Sequence, residues 1–376
     1  LRVAVVGPSP PDRGGISQQT RLLAEHLGPD LAGYFSFARP YPRWLDPRRF
    51  GTLPSRPVPP GPAPRRTFDY ARPGSWRRTA REIIASGAEA VVVPWWTSFW
   101  ALPVRGLFRA LEREAPRVVR ALLCHNVEEH ESSRLRRFLS WGAFETAHAL
   151  LVHSEEERQR VERMFPGRPV LVRPLPVEDR PRPDPARTRE KLGVGRPLVL
   201  FLGLVRRYKG VDVLLAAAPR ILSETGAWLA IVGESFGGAR STASGGSMAG
   251  LGPRVLRVDR YVSETEMDEW LAACDLVVCP YRRISGSAIA ARAVGARRPI
   301  VASDLSGFRP FVSERTGRLV APGDPEALAE AVREVLQKGP ERYHSGLSEL
   351  AERLGWKPYV ASLLELCASA RLPAGR

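Results

Sequence analysis

The sequence predicts an α/β protein of two domains, and three observations carry that reading. Short apolar runs alternate with helix-length amphipathic segments almost from end to end, the pattern of parallel strands covered by helices. A proline-rich interval at 174–186, unsuited to a central strand or a helix interior, separates two such alternations and reads as an interdomain linker. The length of 376 residues suits two or three domains at roughly 100–200 residues each.

In the first half, apolar runs predict strands at 3–6, 90–93, 118–123, 150–152 and 170–172, with helices at 16–27, 131–147 and 155–165. The second half predicts strands at 198–202, 227–232, 255–258, 276–279 and 300–302, with helices at 211–223, 264–273, 288–294 and 325–336. Residues 1–175 and 187–340 then form the two domains, and a helix at 355–371 packs back on the first. Two segments break the rhythm, a proline-crowded stretch at 39–64 and a Gly/Ser/Ala run at 235–252. Loops of this length inside compact domains are uncommon unless functional or disordered, which makes each a candidate lid or binding lip.

Apolar residues at 44% and charged residues at 26% are those of a globular chain. No stretch nears the roughly 20 apolar residues of a membrane span, and the opening Leu1-Arg-Val-Ala-Val-Val-Gly7 lacks signal-peptide features, so a soluble cytoplasmic protein is expected. Four cysteines without Cys-x-x-Cys spacing predict neither a zinc site nor a disulfide framework. The net charge of +16 favours anionic partners, and half of it falls between Arg39 and Arg78. No nucleic-acid-binding motif accompanies it, so nucleic acid is not the expected partner. Peripheral contact of this basic segment with an anionic membrane is expected instead.

Three strand-to-helix loops carry candidate chemistry. The first strand runs into Gly7-Pro-Ser-Pro-Pro-Asp-Arg-Gly14-Gly15-Ile16, where a glycine pair opens a helix. This is either an anion-binding N-terminus or an ordinary tight turn. The second domain begins Gly203-Leu-Val-Arg206-Arg207-Tyr-Lys209-Gly210, placing cations at the strand end where open α/β sheets bind ligands and where Arg can grip a diphosphate. Later comes Cys279-Pro-Tyr281-Arg282-Arg283-Ile284-Ser285-Gly286-Ser287, whose hydroxyls and N–H groups suit phosphate oxygens or a plain helix cap.

With these loops in order, Tyr261-Val262-Ser between the second and the third, and Pro299-Ile-Val-Ala-Ser-Asp and Thr316-Gly-Arg-Leu-Val-Ala-Pro-Gly-Asp after them, the chain resembles the retaining, GT-B-fold nucleotide-sugar glycosyltransferases of family 4. The resemblance is strongest over 198–336. It implies two Rossmann-like domains facing each other across a cleft, with donor on the C-terminal domain and acceptor on the N-terminal one. It assigns Lys209 to the donor diphosphate, with Arg206 replacing the family's usual arginine at Leu204. Tyr261 and Val262 fall where the family's backbone meets the nucleobase. Counting back from Gly295 places the two carboxylates of the family's Glu-x7-Glu element at Arg282 and Ala290, so both are absent. A subset of the family carries a Ser-Gly loop there, and Ser285-Gly286-Ser287 resembles it.

In the first domain, His125-Asn126-Val-Glu-Glu-His130-Glu131 follows a strand and resembles that subset's His-Asn-Val-x-x-His-Glu signature. The resemblance makes His125 the active-site residue, able to donate a hydrogen bond to a sugar hydroxyl or to charge on the leaving group. Asn126, Trp95 and Trp96 are candidate acceptor contacts, although interdomain packing explains the tryptophans equally well. The implied function is transfer of a sugar from a UDP-, GDP- or ADP-linked donor to a carbohydrate or lipid-linked acceptor, with retention. The nucleotide-sugar is a substrate, and neither cofactor nor metal is expected, since no Asp-x-Asp or His/Cys ligand cluster occurs. A nucleotide-sugar-binding protein without transferase activity is the rival reading.

Overall fold

The structure, a computed structural model, describes residues 1–12, 14–39, 61–127, 134–235 and 250–371. The stretch 40–60, most of the Gly/Ser run, and His130 and Glu131 lie outside the described residues. The chain divides into two compact units. One comprises residues 1–173 with the C-terminal helix Trp356–Ser369, and the other comprises Pro174–Gly355.

Among its described residues the first unit has seven strands: β1 Val3–Val6, β2 Leu31–Arg39, β3 Arg65–Asp69, β4 Ala90–Trp95, β5 Val119–Cys124, β6 Ala149–Val152 and β7 Val170–Val172. They pair in parallel in the order β3-β2-β1-β4-β5-β6-β7. β1, β4, β5 and β6 are buried along their whole length, as strands covered on both faces must be. Alternation divides their side chains between two cores. Val3, Val5, Ala90, Val92, Ala121 and Leu123 face helix Gly15–Leu27 and the C-terminal helix, whose Trp356, Tyr359, Leu363 and Leu366 complete that layer. Ala4, Val6, Val91, Val93, Leu122 and Cys124 face helices Pro73–Ala85 and Ala101–Glu114. A leucine such as Leu363, 1% exposed, contributes roughly 1.5–3 kcal/mol by its burial.

Among its described residues the second unit holds six strands: β8 Leu198–Leu202, β9 Trp228–Val232, β10 Val255–Val258, β11 Leu276–Cys279, β12 Ile300–Ser303 and β13 Gly317–Val320. These too are parallel, in the order β10-β9-β8-β11-β12-β13. In both sheets the order reverses beside the first strand, between β1 and β4 and between β8 and β11. Open α/β sheets bind ligands beyond the strand ends at such a reversal.

The expected linker at 174–186 is part of the second unit. Leu175 and Val177 are buried in its core, and the Val177 N–H donates to the Leu354 carbonyl at 2.8 Å. Asp184 then caps a helix, Pro185–Leu192, that the prolines concealed. Its carboxylate accepts from the Arg187 N–H at 2.8 Å, and Pro185 occupies the first turn, where a missing N–H costs nothing.

Candidate functional site

In the second unit, β8 and β11 end side by side and their loops interlock. Gly203 (φ 108) leaves β8, Arg207–Lys209 makes a 3-10 turn, and Gly210 (φ 65) opens helix Val211–Thr225 in a left-handed conformation that favours glycine. A Cβ on Gly210 would stand 1.9 Å from the Pro280 carbonyl oxygen, so only glycine lets the two loops meet. The Arg282 N–H donates to the Tyr208 carbonyl at 2.7 Å, and the Arg282 guanidinium grips the Asp212 carboxylate through both nitrogens at 2.7 and 2.6 Å.

Between these loops Lys209 is half-buried, its ammonium 5.1 Å from the centre of the Tyr281 ring. Burial pushes its pKa down to about 8, with Arg206 adding repulsion and the Cys279 thiol opposing. A cation poorly served by water gains strongly from an anion brought to it. Arg206, three residues earlier, is also half-buried, while Leu204 is exposed.

On the β11 side, Ser285 is buried, Gly286 half-buried, and the Ser287 hydroxyl accepts from the Ala290 N–H at 3.1 Å to cap helix Ala288–Gly295. The loop rests on Gly307, where a Cβ would lie 2.9 Å from Ile284 Cγ2. Tyr261 and Val262 follow β10, two strands from β8. Val262 is a core side chain, leaving its backbone for any contact, and the Tyr261 carbonyl accepts from Arg260 at 3.2 Å. The structure thus gathers Arg206, Lys209 and Ser285–Ser287 at the β8/β11 reversal, and sets Tyr261–Val262 along the same sheet edge.

The helix that follows ends with Arg297 at φ 56, the left-handed conformation expected of a terminating glycine. Counting back from Arg297 rather than Gly295 moves the two missing carboxylate positions to Ile284 and Arg292. Neither count finds a carboxylate. Arg292 instead pairs with Glu264 at 2.8 Å and Asp268 at 3.3 Å.

In the first unit, the loop after β1 is pinned by Arg66, which donates to the carbonyls of Phe37, Ser9 and Pro10 at 3.0, 3.2 and 3.1 Å and pairs with Asp12 at 3.3 Å. Gly14 (φ 119) and Gly15 are exposed at the start of the first helix, with open space around both. His125 directly follows β5, its N–H donating to the Trp95 carbonyl at 2.8 Å. A narrow cavity beside it is lined by Gln19, Thr20, Pro94, Leu123, Trp356 and Tyr359. Asn126 is half-buried next to it.

Trp95 corrects an expectation. It is 2% exposed, with its ring edge-on to Phe144 at 5.1 Å, so it is a packing residue with no surface for an acceptor. Trp96 is half-buried against Phe37 and Trp100 and keeps some surface. In the described part of the basic segment, Arg39 pairs with Asp69, and Arg78 with Glu82.

His153, which the sequence reading passed over, lies next to His125. Its Nε2 is 3.3 Å from His125 Nδ1, and its Nδ1 is 2.9 Å from the Arg173 carbonyl. Among the described residues no group of three His, Cys, Asp or Glu is placed to hold a metal, and no helix is long and apolar enough to cross a membrane. All four cysteines are buried and unpaired with one another.

Known proteins resemble this chain in sequence and in fold. Residues 196–338, which contain the β8/β11 loops, match the family model described as "Glycosyl transferases group 1". A D-inositol 3-phosphate glycosyltransferase of Xylanimonas cellulosilytica is 32% identical over 196 residues, which is 50% of this chain and 46% of the relative. D-inositol 3-phosphate glycosyltransferase 2 of Catenulispora acidiphila is 30% identical over 240 residues, 59% of this chain and 56% of the relative. The chain thus spans about half the length of the curated relatives it matches. Among solved structures, a sucrose-phosphate synthase from Thermosynechococcus elongatus overlays with a TM-score of 0.71 at 19% identity, covering 98% of this chain and 99% of the other. Anabaena HepE in complex with UDP overlays with a TM-score of 0.72 at 16% identity, covering 98% and 100%. The fold is that of the GT-B glycosyltransferases, two parallel-sheet Rossmann-like domains.

Proposed function

We propose that this chain transfers a sugar from a nucleotide-sugar donor to a carbohydrate or lipid-linked acceptor, with the donor held by the second unit. The observation that carries this reading is the meeting of the two loops at the β8/β11 reversal, which places a half-buried cation, Lys209, beside Arg206 and the Ser285–Ser287 helix start. The diphosphate lies against Lys209 and Arg206, and the base lies toward the backbone of Tyr261 and Val262. The family match over the same residues and the UDP bound by HepE support a nucleotide ligand here.

Catalysis on this reading is electrostatic. As the bond between sugar and diphosphate breaks, negative charge grows on the leaving oxygen, and Lys209, Arg206 and the backbone dipoles of the helix start stabilise it more than they stabilise the bound donor. Within the first unit, His125 contacts an acceptor hydroxyl, with Asn126 and Trp96 close by in the chain, and the exposed Gly14–Gly15 turn takes an anionic group. Retention of configuration follows from attack on the face the diphosphate leaves, with no carboxylate nucleophile required.

The missing carboxylates at either count favour the rival, a binding protein without turnover. One experiment separates the two. The protein is incubated with UDP-, GDP- and ADP-sugars and sugar acceptors, and nucleotide release is followed together with the anomeric configuration of any product. Release with a retained anomer, lost in His125→Ala while donor affinity holds, is the expected result. Tight donor binding without release, including slow hydrolysis, would establish the rival.

A further inference from the structure

We propose that His153 is a positioning residue that fixes His125 in its Nδ1–H tautomer, so that His125 meets a bound substrate hydroxyl with the Nε2 lone pair as hydrogen-bond acceptor. The proposal rests on the reading of His125 as an active-site residue. Its basis is the parallel order of β5, β6 and β7, whose carboxyl ends are neighbours. The residues immediately after these strands are His125, His153 and Arg173, and they form one hydrogen-bonded chain.

The direction of that chain is set at its far end. The Arg173 carbonyl can only accept, so His153 Nδ1, 2.9 Å away, carries a hydrogen. His153 is 1% exposed, and burial pushes its pKa down to about 4, with the bond to Arg173 only partly opposing, so the ring is neutral near pH 7. A neutral ring protonated at Nδ1 has its lone pair on Nε2. The atom facing that lone pair at 3.3 Å is His125 Nδ1, which must supply the hydrogen, since two lone pairs at this distance would repel. Burial, and then His153, hold the His125 pKa well below the usual histidine range, so its single ring hydrogen is the one on Nδ1. Nε2 is the nitrogen without a hydrogen.

The consequence reverses the donor role expected of His125 from sequence. A ring in this tautomer accepts a hydrogen bond from a sugar or acceptor hydroxyl. It does not donate to a phosphate oxygen. The three strands anchor the chain rigidly, because the Arg173 N–H in turn donates to the Val152 carbonyl at 2.9 Å and its guanidinium reaches Ser362 of the C-terminal helix at 2.6 Å.

The test uses the full chain with 15N label in its six histidines, His125→Gln and His153→Gln variants assigning the ring signals. At neutral pH both rings are expected to be protonated at Nδ1, with an Nδ1–H coupling pattern for His125. In His153→Leu, which offers no acceptor, His125 is expected to shift toward the Nε2–H form. In parallel, His153→Leu should lower kcat by roughly tenfold or more with KM nearly unchanged, and His153→Gln, whose side-chain oxygen can accept the same hydrogen, should restore most of it. An Nε2–H form of His125 in the wild type, or an Nδ1–H form that persists in His153→Leu, overturns the proposal. A tautomer that shifts as expected while turnover stays constant upholds the positioning and defeats the active-site reading of His125 instead.

Discussion

Gly210 and Pro280 approach so closely that a Cβ on the first would stand 1.9 Å from the carbonyl oxygen of the second. This contact joins the loop that carries Lys209 to the loop that carries Ser285–Ser287. Gly210→Ala combines the clash with a left-handed φ and should destabilise the protein by about 2–3 kcal/mol while also weakening donor binding. Gly193 is the control, because it has nearly the same φ, 66, and nothing within 4 Å. Gly193→Ala should cost about 1 kcal/mol and leave donor binding unchanged. Chemical denaturation and donor titration of both variants measure this, and equal losses in the two would remove the loop-joining role.

Donor affinity should depend on pH through Lys209. Its ammonium titrates at about 8 in the free protein, while Tyr208, Tyr281 and Cys279 around it are pushed upward by burial and remain neutral there. A diphosphate binds the charged form better, so affinity should fall as pH rises through about 8, by up to roughly tenfold per unit. Lys209→Arg stays charged and should abolish the dependence. Calorimetric titrations across this range decide it, a flat wild-type profile being the contrary result.

Acid stability should reflect His153. Its folded pKa of about 4 lies below the unfolded value of 6.5, so as pH falls through 6.5 the unfolded chain takes up a proton that the native state refuses. The stability this neutral ring allows is present above pH 6.5 and lost progressively down to about 4. Relative to His153→Gln, the wild type should therefore lose stability over this window by something of the order of 2 kcal/mol. Denaturant midpoints of both proteins at several pH values give the comparison. A difference that stays constant would show that the His153 pKa is the same in the folded and unfolded chain, contrary to a ring held neutral by burial.

Chelation should leave transfer within a small factor of the untreated rate if, as proposed, Lys209, Arg206 and backbone dipoles stabilise the leaving diphosphate. Rates after exhaustive dialysis against EDTA, with and without added Mg²⁺ or Mn²⁺, check this. Strict dependence on either ion would contradict the cation-based mechanism.

What the sequence revealed follows burial. The inner strands β4, β5, β8, β9 and β11 are near-continuous apolar runs because helices cover both faces, and such runs are visible without a structure. β2, interrupted by Gly33 and Ser36, and β3, which opens with the exposed Arg65 and Arg66, lie toward one edge and are absent from the predicted strands. Helix Pro73–Ala85 was hidden by its own arginines, and Pro185–Leu192 by prolines whose first-turn placement after Asp184 was the missed signal. The loops bearing Lys209 and Ser285 were legible as strand-to-helix turns, but their contact depends on strand order. His153 was not legible for the same reason, since nothing local distinguishes it until β5 and β6 are known to be neighbours.

The central claim is that Arg206 and Lys209 hold the donor diphosphate, and calorimetry tests it most directly. UDP, GDP and ADP are titrated into the wild type and into the Arg206→Ala, Lys209→Ala and double variants. The account predicts binding of at least one nucleotide, a loss of roughly 1.5–3 kcal/mol for each single variant, about ten- to over a hundredfold in Kd, and a larger loss in the double. Wild-type affinity in all three variants would contradict it and place the donor elsewhere.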